Sequence, residues 1–231
     1  MSIKLIIFDL DGTLIDSSID ITNALNYAIE PYGFKPLTTQ DTIKMVGEGI
    51  TRLIEKLLAE HKWEVKNFSH TEIQSDVTRR FLDHYTEHIL DNTRQYPGVK
   101  ETLEKLNNYK KAVISNKRES LSRMVLDGLG LSRFFDIIVG SDTTQEKKPS
   151  PLPILKVLSD LHVQPADAVM VGDSNLDIDA GRAAGVTTIA VTYGYRPIEL
   201  IRHAEYMIDR LADLVALLEK INNRDKLIKE S

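Results

Sequence analysis

Short apolar runs alternate with helix-like stretches along most of this chain, and this alternation limits the possible folds more than any other feature of the sequence. The runs are too short and too rich in β-branched residues to be helices, so we interpret them as buried strands. The predicted strands are residues 3–8, 112–114, 137–139, 168–171 and 188–191. The predicted helices are residues 99–106, 120–129, 152–161, 177–184 and 211–221. Strands that alternate with helices form βαβ units, which predicts an α/β fold with a doubly wound parallel sheet.

One long interval interrupts this alternation. Residues 17–93 contain only helical patterns, such as the stretch 71–90, which Ser69 is placed to cap. The interval leaves the predicted sheet just after the first strand, so we interpret it as a helical insert that acts as a lid. The predicted division is a core of residues 1–15 and 94–231 and an all-helical cap domain of residues 16–93.

Polar residues with reactive side chains follow several of the predicted strands. The chain reads DLDGT after the first strand, SNK after the second and GDSNLD after the fourth, with KKPSP opening the helix before the fourth. Ligands of open parallel sheets bind beyond the carboxyl ends of the strands, so these segments are predicted to meet at one edge. Asp9 and Asp11 alternate in an extended chain, which points both carboxylates the same way and requires a cation or a shared proton.

The residues at this edge have the chemistry of a magnesium and phosphate site. Four carboxylates with no His or Cys nearby suit Mg²⁺, which prefers hard oxygen ligands. The predicted metal ligands are Asp9, Asp11, Asp173 and Asp177. The predicted phosphate ligands are the Ser115 hydroxyl, Asn116, the Lys148 ammonium and the backbone N–H of Gly12.

This set of residues fits transfer of a phosphoryl group to a carboxylate and then to water. Asp9 is the predicted nucleophile, which forms an aspartyl-phosphate. Asp11 is the predicted general acid for the leaving oxygen and then the general base for water. Gly12 lets the backbone leave the strand in a conformation that a Cβ would hinder.

Composition argues against several other classes of protein. The 231 residues carry a net charge of -5, with Lys and Arg scattered among acids, which argues against binding to nucleic acid. No apolar stretch is long enough for a membrane helix, and the lack of cysteine excludes thiolate catalysis. No leader-like segment precedes the first strand, so a cytoplasmic location is expected. The expected partner is a small phosphorylated metabolite, and the expected assembly is a monomer or homodimer.

Four motifs carry a resemblance to a known family. They are FDLDGTLIDS, VISNK with Ser115, KKPSPLP with Lys148, and VGDSNLDIDAGRAAG. In this order and spacing they resemble the motifs of the haloacid dehalogenase superfamily, and in particular its phosphoglycolate phosphatase-like members with a helical cap. The resemblance covers nearly the whole chain, and it implies a Rossmann-like core and a Mg²⁺-dependent phosphatase.

The resemblance also implies a role for each motif residue. Asp9 would be the nucleophile and Asp11 the acid and base, with the Asp11 backbone carbonyl also reaching the metal. Asp9 and Asp173 would bind Mg²⁺ directly, and Asp177 would bind it directly or through water. The Ser and Lys of the second and third motifs would hold phosphate. Asp11 favours hydrolysis of phosphate esters, because the superfamily's dehalogenases lack this second Asp and its ion pumps carry Thr there.

A segment of the predicted cap resembles the substrate-specificity loop of such enzymes. It reads MVGEGITRLIEKLL and would place Gly47, Glu48, Gly49 and Arg52 over the leaving group. Glu48 brings a negative charge to this loop, which is unfavourable beside an acidic substrate such as phosphoglycolate.

The predicted function is Mg²⁺-dependent hydrolysis of a small phosphorylated metabolite, with phosphoglycolate as the leading candidate. Within the superfamily, a phosphosugar mutase similar to β-phosphoglucomutase or a pyrophosphatase remains open, because the core chemistry is shared. From other classes, a signalling receiver or a non-catalytic phosphate-binding regulatory protein remains open. Two weaker signals are His84 with His88, which stand one helical turn apart as in some metal sites, and residues 193–197, interpreted as a turn.

Overall fold

The fold is described by a computed structural model of the chain, which covers residues 2–60 and 69–229. Residues 61–68 of the predicted helical insert therefore lie outside the described residues. The chain divides into two compact units, one formed by Met1–Ile15 with Gln95–Ser231 and the other by Asp16–Arg94. The first unit contains a six-stranded sheet, and the described part of the second unit is mainly helical.

The strands are short and belong to two sheets. In chain order they are β1 (Leu5–Phe8), β2 (Ile15–Asp16), β3 (Arg94–Gln95), β4 (Lys110–Ile114), β5 (Ile137–Val139), β6 (Ala168–Gly172), β7 (Thr187–Val191) and β8 (Tyr206–Ile208). The larger sheet has the order β5-β4-β1-β6-β7-β8 and is parallel throughout, whereas β2 and β3 pair separately. The winding changes direction between β1 and β6, which is where ligands of doubly wound sheets bind.

Helices connect the strands and form most of the second unit. The α-helices are α1 (Ser18–Ile29), α2 (Thr39–Met45), α3 (Ile50–Glu60), α4 (His70–Glu87), α5 (Val99–Lys105), α6 (Glu119–Gly128), α7 (Leu152–Asp160), α8 (Asn175–Ala184), α9 (Ile198–Ile201) and α10 (Asp213–Lys229). Short 3₁₀ turns cover Glu30–Tyr32, Ser132–Phe134 and Pro165–Asp167. Within the described ranges, no helix combines the length and apolarity that crossing a membrane requires.

Helices packed on the large sheet bury its central strand completely. Every residue of β1 is inaccessible to solvent. Leu5 and Ile7 belong to a core cluster with Ile154 of α7 and Ala180 of α8. Alternate residues of a strand point to the same face, so Leu5 and Ile7 share this cluster. A strand buried on both faces consists of a continuous apolar run, which is why the sequence pattern was sufficient to predict it.

The second unit is built around the packing of α4 on α1. Ser69 donates its backbone N–H and its hydroxyl to the Glu72 carboxylate, and this capping box starts α4 as the predicted cap requires. Apolar residues then recur at intervals of four, so they line one side of the helix. These buried residues are Ile73, Val77, Phe81 and Tyr85.

The predicted doubly wound parallel sheet is confirmed, and two of the differences from the predicted elements have a clear reason. The edge strand β8 was not predicted, because it has only three residues, of which Ile208 alone is buried and Met207 is 36% exposed. Helix α8 begins at Asn175 rather than at Asp177, because Ser174 is the residue that precedes its first turn. The second difference bears on the role of Asp177.

Candidate active site

Two of the motifs lie at the carboxyl ends of neighbouring strands. Asp9 follows β1 and Asp173 follows β6, and β1 pairs directly with β6. The Asp9 backbone N–H donates to the Val171 carbonyl at 2.9 Å, which continues the ladder of hydrogen bonds one step beyond the strand. The parallel register therefore brings these two aspartates to the same edge of the sheet, at its switch point.

Three carboxylates form a buried cluster at this edge. Asp9, Asp173 and Asp177 each offer an oxygen, and these atoms lie within 4.8 Å of one another. The three residues are 8%, 3% and 0% exposed, respectively. Buried like charges at this separation repel one another, so the cluster requires positive charge.

Lys148 supplies part of that charge. Its ammonium donates to Asp9 Oδ1 at 2.7 Å, to Asp177 Oδ1 at 2.6 Å and to the Ile114 carbonyl at 2.7 Å. Burial lowers the pKa of Lys148, but the adjacent Asp177 and Asp9 outweigh that effect and hold the pKa above its ordinary value. Lys148 is therefore a fixed cation that links two of the three carboxylates.

One ammonium does not neutralise three carboxylates. Burial, followed by repulsion from Asp177, raises the pKa of Asp9 well above its ordinary value despite the attraction of Lys148. The same two causes raise the pKa of Asp173 to about 7. Three close, buried oxygen donors with residual negative charge fit a hard divalent cation such as Mg²⁺. The donor set thus suits the predicted metal.

Asp11 lies apart from this cluster by its contacts. Its Oδ1 accepts a hydrogen bond from the Lys117 ammonium at 2.6 Å, and among the described residues the metal-compatible group contains only the other three aspartates. A cation shared by Asp9 and Asp11 remains a prediction. After Asp9 the chain enters a tight turn, in which the Leu10 carbonyl accepts backbone N–H groups from Thr13, Leu14 and Ile15.

Gly12 contributes space at this edge, whereas its phosphate contact remains a prediction. Its N–H donates to the Ile15 carbonyl at 2.9 Å, so that group is used within the turn. Its φ is 87°, and a Cβ added there would lie 2.4 Å from Asp173 Oδ2. Gly194 has the same relation to this carboxylate, with an added Cβ 2.1 Å from Asp173 Cβ. Only residues without a side chain allow the backbone to approach Asp173 this closely.

Ser115 and Asn116 follow β4 and are both buried. Ser115 Oγ accepts the Lys117 backbone N–H at 3.2 Å. The Asn116 amide donates to the Lys148 carbonyl at 3.0 Å, so its observed contribution is to hold the segment that carries this lysine. A direct phosphate contact from either residue remains a prediction.

Asp177 combines a structural role with its place in the cluster. Its Oδ2 accepts the backbone N–H of Ser174 at 3.0 Å and the Ser174 hydroxyl at 2.7 Å, at the start of α8. Its Oδ1 is the oxygen that accepts from Lys148. The two carboxylate oxygens therefore serve two purposes, and helix capping does not compete with the site.

The loop after β7 was interpreted as a simple turn, but it contacts this edge of the sheet. The Tyr195 backbone N–H donates to Asp173 Oδ2 at 2.7 Å, and the Tyr193 hydroxyl donates to the Thr13 carbonyl at 2.7 Å. The position of this loop could have predicted the contact, because the loop follows the carboxyl end of β7, the strand next to β6. Lys117 is a second residue near this edge that the sequence pattern did not single out, although it belongs to the VISNK motif.

In the second unit, the predicted specificity segment is a network of charges. Glu48 pairs with Lys56, and Arg52 lies 3.7 Å from Glu48 and 2.6 Å from Glu55. Gly47 and Gly49 flank Glu48 with φ values of 115° and 81°. The negative charge of Glu48 is thus offset by neighbouring cations of the same unit.

The histidine pair of α4 does not form a metal site by the geometry of the described residues. The rings of His84 and His88 have centroids 4.3 Å apart and are tilted by 33°, and His88 Nδ1 lies 2.9 Å from Asp91. Within residues 2–60 and 69–229, the pair belongs to no group of three ligating side chains.

Comparison with known proteins agrees with the geometry of this edge. The sequence profile described as haloacid dehalogenase-like hydrolase matches residues 6–191, which include Asp9, Asp11, Lys148 and both later aspartates. The chain belongs to the haloacid dehalogenase-like hydrolase family. A phosphoglycolate phosphatase from Aquifex aeolicus is 39% identical over 218 residues, covering 94% of this chain and 97% of that protein. One from Chromobacterium violaceum is 38% identical over 223 residues, with the same shares covered.

A solved structure extends the likeness to the fold. The crystal structure of a predicted phosphoglycolate phosphatase from Haemophilus somnus has a TM-score of 0.84 and 29% identity, covering 94% of this chain and 98% of that chain. The prediction of a phosphatase of the haloacid dehalogenase family is confirmed.

Proposed function

We propose that this chain hydrolyses a small phosphorylated metabolite through an aspartyl-phosphate on Asp9, with Mg²⁺ as cofactor. The observation that carries the proposal is the buried cluster of three carboxylates at the switch point of the sheet, with the Lys148 ammonium bridging Asp9 and Asp177. Family membership supports phosphate ester hydrolysis as the reaction. The geometry supports an acidic site for a divalent cation next to a fixed nucleophile.

The proposed reaction has two steps. In the first, an Asp9 carboxylate oxygen attacks phosphorus as the bond from phosphorus to the leaving oxygen breaks, and Asp11 gives a proton to that oxygen. In the second, a water oxygen attacks phosphorus while Asp11 takes a proton from the water, which releases inorganic phosphate and restores the Asp9 carboxylate. Lys148 holds Asp9 in position in both steps.

The proposed metal ligands are Asp9, Asp173 and Asp177, joined by the Asp11 backbone carbonyl. When bound, Mg²⁺ supplies positive charge that offsets the negative charge of the phosphoryl oxygens. Tyr195 and Thr13 hold Asp173 at 2.7 and 3.3 Å, so one proposed ligand is oriented by hydrogen bonds of its own. Ser115 is proposed to hold phosphate.

Phosphoglycolate is the proposed substrate. The proteins from Aquifex aeolicus and Chromobacterium violaceum carry this activity in their names, and the chain aligns with each over nearly its whole length. The pairing of Glu48 with Lys56 reduces the objection that an acidic loop would repel an acidic substrate. We further propose that residues 47–52 select the leaving group. Cytoplasmic location and assembly as a monomer or homodimer remain predictions from the sequence.

Substitution of the nucleophile tests the proposal. Asp9→Asn should lower kcat for phosphoglycolate by at least about a thousandfold, because an amide cannot form the phosphoryl ester. Phosphate release is measured by a colorimetric assay, and mass spectrometry confirms that the Asn has not deamidated. Asp179→Asn is the matched control, because Asp179 is a half-exposed aspartate of α8 that pairs with His203.

Two outcomes would contradict the proposed function. Wild-type turnover by the Asp9→Asn variant would exclude Asp9 as the nucleophile. The absence of phosphate release by the wild type with Mg²⁺, across a panel of phosphorylated metabolites, would exclude hydrolysis itself. A ranking of kcat/KM over that panel also tests phosphoglycolate against other substrates.

A further inference from the structure

Lys117 stands on a firmly anchored segment of backbone. Its N–H donates to Ser115 Oγ at 3.2 Å, and its carbonyl accepts the Ser141 N–H at 2.9 Å. These bonds join it to Ser115, the buried residue that follows β4, and to the loop that follows β5. The base of this side chain is therefore fixed with respect to the sheet.

The Lys117 side chain reaches Asp11 in a largely dry environment. Its ammonium lies 2.6 Å from Asp11 Oδ1, and the two side chains are only 8% and 12% exposed. A charged pair buried to this extent depends on both partners, because removal of one leaves the other charge without its counterion. The orientation of the Asp11 carboxylate is thus tied to Lys117.

The two buried lysines near this edge divide the aspartates between them. Lys148 contacts Asp9 and Asp177, whereas Lys117 contacts Asp11. The group that we propose as acid and base therefore has a different cation from the groups that we propose as nucleophile and metal ligand. The Lys117 ammonium therefore bears on where the Asp11 carboxylate points, whereas the Lys148 ammonium bears on the metal-compatible cluster.

We propose that Lys117 is a positioning residue that holds Asp11 in place for proton transfer to the leaving oxygen. This inference rests on the proposed function, in which Asp11 is the acid and base. It predicts that loss of the Lys117 charge impairs reactions that need a protonated leaving group more than reactions that do not. The readout is therefore the dependence of rate on the leaving group, which a purely structural lysine would not change.

The test compares phosphoglycolate, whose alkoxide leaving group needs a proton, with 4-nitrophenyl phosphate, whose leaving group needs little assistance. Lys117→Met should lower kcat for phosphoglycolate by roughly 10- to 100-fold and for 4-nitrophenyl phosphate by less than about 3-fold. Lys117→Arg should recover part of the lost rate, because it restores a cation. Thermal unfolding of each variant shows whether it is folded.

A double substitution and a control complete the design. Asp11→Asn with Lys117→Met should be no more than about 3-fold slower on phosphoglycolate than Asp11→Asn alone, because the two residues act as one unit. Lys111→Met is the control, since Lys111 is a buried lysine that donates to the Leu106 and Tyr109 carbonyls. It should lower thermal stability and leave the ratio of the two rates unchanged.

The outcomes separate this inference from the proposed function. Equal losses on both substrates for Lys117→Met, or losses that multiply in the double variant, would overturn the positioning role. A further rise in KM when Lys117→Met is added to Asp11→Asn would instead indicate direct substrate binding and also overturn it. If Asp11→Asn leaves the ratio of rates unchanged, the acid role of Asp11 fails and the inference fails with it.

Discussion

At the scale of single residues, the site depends on which lysine forms an ion pair with which aspartate. Lys148 and Lys117 are both buried ammonium groups, but one serves the carboxylate cluster and the other serves Asp11. The glycines near the cluster are as important as the charges, because they let the backbone approach Asp173 where any side chain would collide. The chemistry therefore requires both opposite charge and the absence of side chains.

Gly12→Ala should damage the site through both strain and collision. The φ of 87° costs an alanine about 1–3 kcal/mol, and the added Cβ would lie 2.4 Å from Asp173 Oδ2. We expect lower stability in urea denaturation and a loss of most kcat in the phosphate-release assay. Gly130→Ala is the control, because Gly130 has a φ of 68° with no atom within 4 Å of an added Cβ. It should lose stability and keep its activity; full activity in Gly12→Ala would contradict the argument.

At the scale of secondary structure elements, strand ends and helix starts place the reactive groups. Asp9 and Asp173 directly follow β1 and β6, and α8 starts with a pairing of Ser174 and Asp177. The same pairing of Ser with an acidic residue three positions later starts α4, where Ser69 contacts Glu72. The same capping interaction therefore starts both helices, but in α8 its acidic residue also belongs to the carboxylate cluster.

The two caps offer a matched comparison. Ser174→Ala and Ser69→Ala should each destabilise the protein by about 1 kcal/mol, because each removes a capping hydroxyl. Only Ser174→Ala should also reduce kcat, because Asp177 loses a hydrogen bond of 2.7 Å that orients it beside Lys148. Urea denaturation and steady-state kinetics measure the two effects. A fall in kcat that is equal in the two variants would show that capping affects activity only through stability.

At the scale of the whole molecule, the sheet brings together carboxylates from distant parts of the chain at an energetic cost. Burial raises the pKa of Asp9 and Asp173, which means that their charged forms destabilise the folded state when no cation accompanies them. The buried carboxylates therefore lower the free energy of unfolding of the metal-free protein. Binding of a cation to the folded state should return that stability.

Metal-dependent stability tests this balance. With EDTA and at a pH above about 7, Asp173→Asn should unfold at a higher temperature than the wild type, because it removes a buried carboxylate whose pKa is raised to about 7 and which is therefore charged at that pH. Mg²⁺ at about 100 times its Kd should raise the wild-type midpoint by roughly 5–10 °C and have little effect on Asp173→Asn. Differential scanning calorimetry measures both. A wild-type midpoint that does not respond to Mg²⁺ would contradict the proposed metal site.

The sequence by itself determined the strands of the central sheet, the parallel topology and the strand ends that carry polar residues. It could do so because buried parallel strands are continuous apolar runs and because helix and strand periods are local properties of the chain. The edge strand β8 was not predicted, because three residues with a single buried member, Ile208, show too little pattern. The resemblance to known motifs supplied the predicted roles of the site residues, which local patterns do not indicate.

Tertiary structure alone decided which partner each charge has. Asp9 and Asp11 are two positions apart and look equivalent in the sequence, but a turn after Asp9 sends them to different lysines. The Gly12 N–H was paired within that turn, and Tyr195 came to Asp173 from a loop that looked like a simple connection. Hydrogen bonds and ion pairs depend on distances of a few ångströms between segments far apart in the chain, and only the packing of the complete fold sets those distances.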